Sequence, residues 1–226
     1  MPEWKDVLAA LGSLVASFAG AWAAFRFEGW RRKTEEERKN VGAGNRAIYG
    51  VYGFWNVLEQ YRKEALEPFR ARPDDAWLNL DAHPTPPSAT DRFQTADLQF
   101  LLENGQPSIF AALMLEQQRF DLAMGLVAVR SRLVLESVFP KMAAAGFAVG
   151  RSQDLADVER ALGIDLCHQL KQMTSAIFQN VDEDLASLRK VYDDLRRGLM
   201  TIYPKRKFIQ IVFETDKNEA NATTPA

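Results

Sequence analysis

The chain has 226 residues, of which 47% are hydrophobic and 26% charged, and its formal net charge is −2 at pH 7. This composition is typical of a folded domain and argues against bulk disorder. A net charge so close to zero provides no global field that would recruit nucleic acid. The single cysteine, Cys167, excludes an internal disulfide framework, and two histidines leave little for metal binding. The sequence therefore predicts no metal or cofactor, and it supports an enzyme least of the classes considered.

The first element is an uncharged run of nineteen residues, positions 7–25, which Arg26 ends. As a helix it is about 28 Å long, close to the thickness of a bilayer core. Aromatic residues favour the headgroup layer, and Trp22 and Trp30 fall near the end of the run. Basic residues follow, including Arg31. By the positive-inside rule we expect a single-pass protein of the inner (cytoplasmic) membrane, N-terminus out and C-terminus in the cytoplasm, in contact with membrane lipid.

Two other interpretations of the run stay open. Ala21-Trp22-Ala23 resembles the cleavage site of a signal peptide, although such peptides have a basic start and a shorter apolar core. An alanine-rich helix can also be buried in the core of a soluble fold.

Small residues recur every four positions within the predicted span, at Gly12, Ala16, Gly20 and Ala24. Ridges of this kind let helix backbones approach closely, and close packing drives helix association in lipid. With one span per chain, the pattern predicts a homo-oligomer, and a lone anchor is the alternative. Ser13 and Ser17 are the only hydroxyls in the run. They are candidate pore-lining residues, or they hydrogen-bond to a neighbouring helix, which is the commoner use.

The next residues are predicted to be helical. Residues 28–40 mix both charge signs, with Glu28–Arg32 as an i,i+4 pair, and indicate a solvated helix. An apolar stripe follows from Ile48 to Ala65. The glycines at 42–53 leave two possibilities open, a break in the helix or close packing of another helix. The proline-rich residues 71–94 are predicted to be a loop.

Three helices are predicted after the loop, over 96–103, from Pro107 to about 138, and from Ser152 to near Gly163. The long one carries two apolar ridges, so we expect it to be covered on both sides at the centre of the bundle. The second of these ridges consists of Leu115, Leu122, Leu126, Val129 and Leu133.

The clearest pattern comes last. Apolar residues step by three or four from Leu166 to Ile202 and predict one helix of nearly forty residues. Residues 208–213 are β-prone and are predicted to form a short edge strand or to cover the core. The predicted fold is all-α, with a transmembrane anchor at 1–33, a cytoplasmic antiparallel helical bundle at 34–214 and a flexible tail at 215–226.

Two arginine pairs are candidate anion-binding residues, Arg130 with Arg132 and Arg196 with Arg197, because arginine suits phosphate and carboxylate. The alternative is a solvated helix face or contact with lipid. The partner expected here is an anionic ligand; a cytoplasmic protein is the other candidate partner.

The plan of one span followed by a helical cytoplasmic domain resembles that of small bacterial membrane effectors, including those of anti-phage defence. The resemblance covers the order of elements and assigns no residue. It implies an oligomeric effector or pore whose helical domain controls it, and the alternative is a passive membrane-tethered scaffold that recruits a cytoplasmic partner.

Overall fold

The computed structural model of the chain describes residues 4–85, 92–147 and 154–213, except for the side chains of residues 4–13, 15, 16 and 73. These residues are 83% helical and contain no strand, which confirms the all-α prediction. The helices are α1 Trp4–Tyr61, α2 Pro73–Asn79, α3 Thr95–Glu103, α4 Pro107–Leu133, α5 Phe139–Ala144, α6 Leu155–Leu162 and α7 Ile164–Ile202. The chain divides into two compact units, unit 1 (Met1–Ala43) and unit 2 (Gly44–Ala226).

Within the described part of the chain, none of the helices combines the length and the apolar character needed to cross a membrane. The predicted span includes Gly12, Ser13 and Ala16, whose side chains lie outside the described residues. The predicted tail at 215–226 also lies outside them.

The end of α1 contributes the centre of the unit 2 core, where Ile48, Val51, Phe54 and Leu58 are fully buried. Helix α1 does not break at its glycines. A Cβ on Gly44 would lie 2.8 Å from a methyl group of Leu199 on α7. Close packing is therefore the explanation for Gly44.

Helix α7 confirms its prediction, with 39 residues and a continuous row of buried apolar side chains. It packs along α4, and α2 and α6 also pack on it. Gly163, with a φ of 84°, separates α6 from α7 in the left-handed conformation that glycine tolerates best.

The expectation that α4 is covered on both sides is wrong for unit 2. One ridge is buried and includes Leu113, Phe120 and Val127. The other is mostly open: Leu122 is 71% exposed, while Leu126 and Leu133 are half-buried. Leu115 and Val129 on the same ridge are also exposed. The described helices of unit 2 leave Leu115, Leu122 and Val129 uncovered, and we call this apolar row the open ridge of α4.

Two helices end in a π turn shortly before a proline. The π turn Arg62–Leu66 precedes Pro68, and the π turn Val134–Val138 precedes Pro140. Proline has no N–H to complete an α-helical hydrogen bond, and its ring displaces the carbonyl four residues earlier. The wider π turn accommodates the missing hydrogen bond and the proline ring while the backbone remains helical.

Part of the predicted loop 71–94 is helical. Helix α2 begins at Pro73, with Asp74 and Asp75 in its first turn, which are residues that favour a helix N-terminus. Residues 208–213 form no strand. Phe213 instead packs against Trp55 and Tyr192, with ring centroids 4.8 and 5.1 Å apart, and covers the core.

Two glycines of α1 give a matched test of close packing. A Cβ on Gly50 would lie 2.7 Å from the ring of Phe93, whereas a Cβ on Gly53 would meet no atom within 4 Å. Gly53→Ala should therefore stabilise the fold by about 0.5–1 kcal/mol through helix propensity. Gly50→Ala should destabilise it by about 1 kcal/mol, because overpacking outweighs that gain.

Thermal unfolding, monitored by circular dichroism, checks both variants. For a chain of this size, a change of about 1 kcal/mol in stability shifts the melting temperature by about 2–4 °C. Equal shifts for the two variants would contradict the close approach of Phe93 to Gly50.

Candidate functional site

The side chain of Arg130 links three helices of unit 2. It is 1% exposed, and its Nε donates to Thr174 Oγ1 on α7 at 2.9 Å. Its two other nitrogens each donate at 3.0 Å to carbonyls at the end of α2, those of Trp77 and Leu80. A cation at a helix C-terminus satisfies the last carbonyls and favours the negative end of the helix dipole.

This position settles the role of the first predicted arginine pair. Burial lowers the pKa of Arg130, and Tyr61 and Asp81 oppose that shift. Arginine nevertheless stays charged in proteins. Arg132 is exposed on a different side of α4, so the structure does not bring the two guanidinium groups together. The pair Arg130 and Arg132 is therefore not a common anion site.

A cavity of about 630 Å³ lies beside Arg130, between α2 and α7. Its walls are mainly apolar, formed by Trp77 of α2, Phe178 of α7 and Leu155 at the start of α6. Thr174, which accepts from Arg130, also lines it, together with Ser175. We call this space the α2–α7 cavity.

Two cations of the α2–α7 cavity lie over its aromatic walls. Lys171 Nζ is 5.0 Å from the ring centroid of Trp77, and the Arg70 guanidinium is 5.7 Å from that of Phe178. Each cation also pairs with a carboxylate: Lys171 with Glu159 at 2.7 Å, and Arg70 with Asp182, which raises the pKa of Arg70. The sequence does not predict this cavity, because the prolines around Trp77 indicate a loop and Lys171 lies outside the apolar pattern of α7.

A buried carboxylate pair lies between α4 and α7. Glu116 is 2% exposed, and its Oε1 accepts from Ser187 at 2.6 Å and from Arg119 at 3.2 Å. Its Oε2 is buried without a hydrogen-bond partner. Asp184 is also buried, and burial, followed by the nearby Glu116 charge, raises its pKa to about 6.

The second predicted pair also splits. Arg196 is half-buried and donates to Gln210 at 3.4 Å. Arg197 is exposed and lies 3.5 Å from Asp194, at the edge of a separate cavity of about 300 Å³. Arg197 is thus the member of the pair that lines a cavity.

The described residues of the predicted span lie on an exposed helix surface. Ser17, Gly20 and Ala24 are exposed, and a Cβ on Gly20 would meet nothing within 4 Å. The predicted ion pair between Glu28 and Arg32 is confirmed at 3.0 Å.

In the described residues, no group of three or more His, Cys, Asp or Glu side chains is placed to hold a metal ion. Comparisons with known protein families, curated proteins and solved structures find no match for the chain.

Arg130 and Arg132 offer a matched test of the link between α2, α4 and α7. Arg130→Met should destabilise the fold by about 2–4 kcal/mol, because it orphans the buried carbonyls of Trp77 and Leu80. Arg132→Met should change the free energy of unfolding by less than about 0.5 kcal/mol, since the residue is exposed. Chemical denaturation measures both, and comparable effects would contradict a structural role for Arg130.

Asp184 gives a pH-dependent test. Its pKa is raised from 3.8 to about 6 in the folded chain, so the folded state binds the proton more tightly between about pH 4 and 6. The contribution of Asp184 to the free energy of unfolding therefore rises as pH falls through this window. Above it, the buried charge destabilises the fold.

Asp184→Asn should consequently raise the melting temperature at pH 7.5 by a few degrees, and the gain should shrink by pH 4.5. Asp193→Asn, which changes an exposed carboxylate on the same helix, is the control. A gain that does not depend on pH would rule out the raised pKa as its cause.

Proposed function

We propose that this chain is a membrane-anchored protein that self-associates through its N-terminal helix and acts as an oligomeric effector or pore under the control of its helical domain. The helix at 7–25 is the proposed anchor, and unit 2 is the proposed cytoplasmic domain. The proposal keeps the plan of small bacterial membrane effectors that the order of elements resembles, including a role in defence.

The observation that carries the proposal is the exposure of large apolar side chains along unit 1. Phe18 is 78% and Phe25 is 79% exposed, and Leu14 and Trp22 lie on the same helix with similar exposure. Such a row, at steps of three and four, is an apolar surface whose burial would be favourable. Lipid and a second helix are the surroundings that would cover it.

The small residues give room for that second helix. Gly20 and Ala24 are exposed, and a Cβ on Gly20 would meet no atom of the described residues within 4 Å. Close approach of backbones at such positions favours helix dimers and higher oligomers in lipid. In an oligomer, Ser13 and Ser17 are the proposed hydroxyls of a narrow pathway.

A passive scaffold is the second candidate, and the open ridge of α4 favours it. Leu115, Leu122 and Val129 present an apolar surface that the described residues of unit 2 leave exposed. Exposed apolar patches often mark sites of protein–protein interaction. In this alternative, the anchor only places the ridge at the membrane.

The anchor and its association can be tested together. We expect the full-length chain to remain in the membrane fraction after an alkaline carbonate wash. Gly12→Leu with Gly20→Leu should reduce its oligomer to monomer in detergent, because leucine blocks close approach of the helices. Gly29→Leu is the control, since a Cβ on Gly29 also meets nothing but the residue lies beyond the predicted span. Release by carbonate would overturn the anchor, and an unchanged oligomer would overturn the association.

Membrane potential in cells that express the chain separates the two candidate functions. Depolarisation that Gly12→Leu with Gly20→Leu abolishes supports a pore. A wild-type chain that stays in the membrane without depolarising it favours the scaffold.

A further inference from the structure

The α2–α7 cavity has the size and the walls of a site for a small organic molecule. Its volume of about 630 Å³ lies within the range of roughly 300–1,000 Å³ typical of small-molecule pockets. Trp77, Phe178 and Leu155 give it aromatic and aliphatic walls. Such walls favour an occupant with an apolar body.

The polar groups of the α2–α7 cavity are mainly hydrogen-bond donors. Lys171 and Arg70 are cations that only donate. Thr174 Oγ1 already accepts from Arg130 and still has a proton to donate. One carboxylate, Asp74, also lines the cavity, and it is exposed. The lining therefore favours an occupant that carries acceptors.

Charge adds to this preference. The Arg130 guanidinium lies behind Thr174 and Trp77. The three acceptors that it contacts are uncharged, and Asp81 is a nearby carboxylate that favours its charge. At the rim, Lys171 pairs with Glu159 while both side chains stay about half exposed. Solvent screens exposed pairs of this kind, so a second anion can compete for Lys171.

We propose that the α2–α7 cavity binds a small organic anion with an apolar ring, whose anionic group contacts Lys171 and whose ring lies between Trp77 and Phe178. This inference goes beyond the proposed membrane function and stands on unit 2 alone. It moves the expected anionic ligand from the predicted arginine pairs to residues of α2 and α7.

Calorimetric titration of the full-length chain with naphthalene-2-sulfonate tests the proposal. We expect saturable binding, weakened at least tenfold by Lys171→Gln, which removes the cation. Ser175→Trp should abolish it by filling the cavity from an exposed position that tolerates a large residue. Lys190→Gln makes the same change at an exposed position of α7 and should leave the dissociation constant unchanged.

Two further compounds separate the ring from the charge. Inorganic sulfate, which lacks the ring, and 2-naphthol, which lacks the full charge, should both bind at least tenfold more weakly than naphthalene-2-sulfonate. Equal binding of either compound would overturn the proposed ligand class. Binding that survives Ser175→Trp, or no saturable binding by the wild-type chain, would overturn the site.

Discussion

A buried guanidinium is stable in a small helical domain only where protein oxygens replace the water that its donors lose. Unit 2 supplies those oxygens from two helices, the carbonyls of Trp77 and Leu80 at the end of α2 and the hydroxyl of Thr174 on α7. Arg130 on α4 thus fixes where a helix of seven residues ends. The position of α2 in turn forms one wall of the cavity beside it.

Helix α4 has charged residues on its buried side and apolar residues on its exposed side. Glu116 and Arg130 are buried where α4 packs on α7, as is Asp184 of α7, whereas Leu122 on the opposite side of α4 is exposed. Polar groups inside restrict which helix arrangements are acceptable, because each donor and acceptor needs a partner. The exposed apolar groups leave the domain with a surface whose burial would be stabilising.

The sequence predicted the elements whose pattern is local. Helix α7 follows from its row of apolar residues, and α6 from its position before Gly163. Burial of the second α4 ridge was predicted wrongly, since periodicity shows that a face is apolar and not that another helix covers it. Helix α2 was missed because prolines around it indicated a loop. The cavity depends on Lys171, Phe178 and Trp77, which only the packing of α2 on α7 brings together.

The two π turns affect how the sequence of a homologue would align with this chain. A π turn holds one residue more than an α-helical turn, so Arg62–Leu66 and Val134–Val138 each amount to a single-residue insertion. Removing that residue would rotate the next helical turn by about 100° relative to the turn before it. A homologue without the insertion would therefore align with a one-residue gap, and its apolar pattern would change phase there. In this chain Val134 and Val138 are both buried, and Leu135 and Phe139 are exposed.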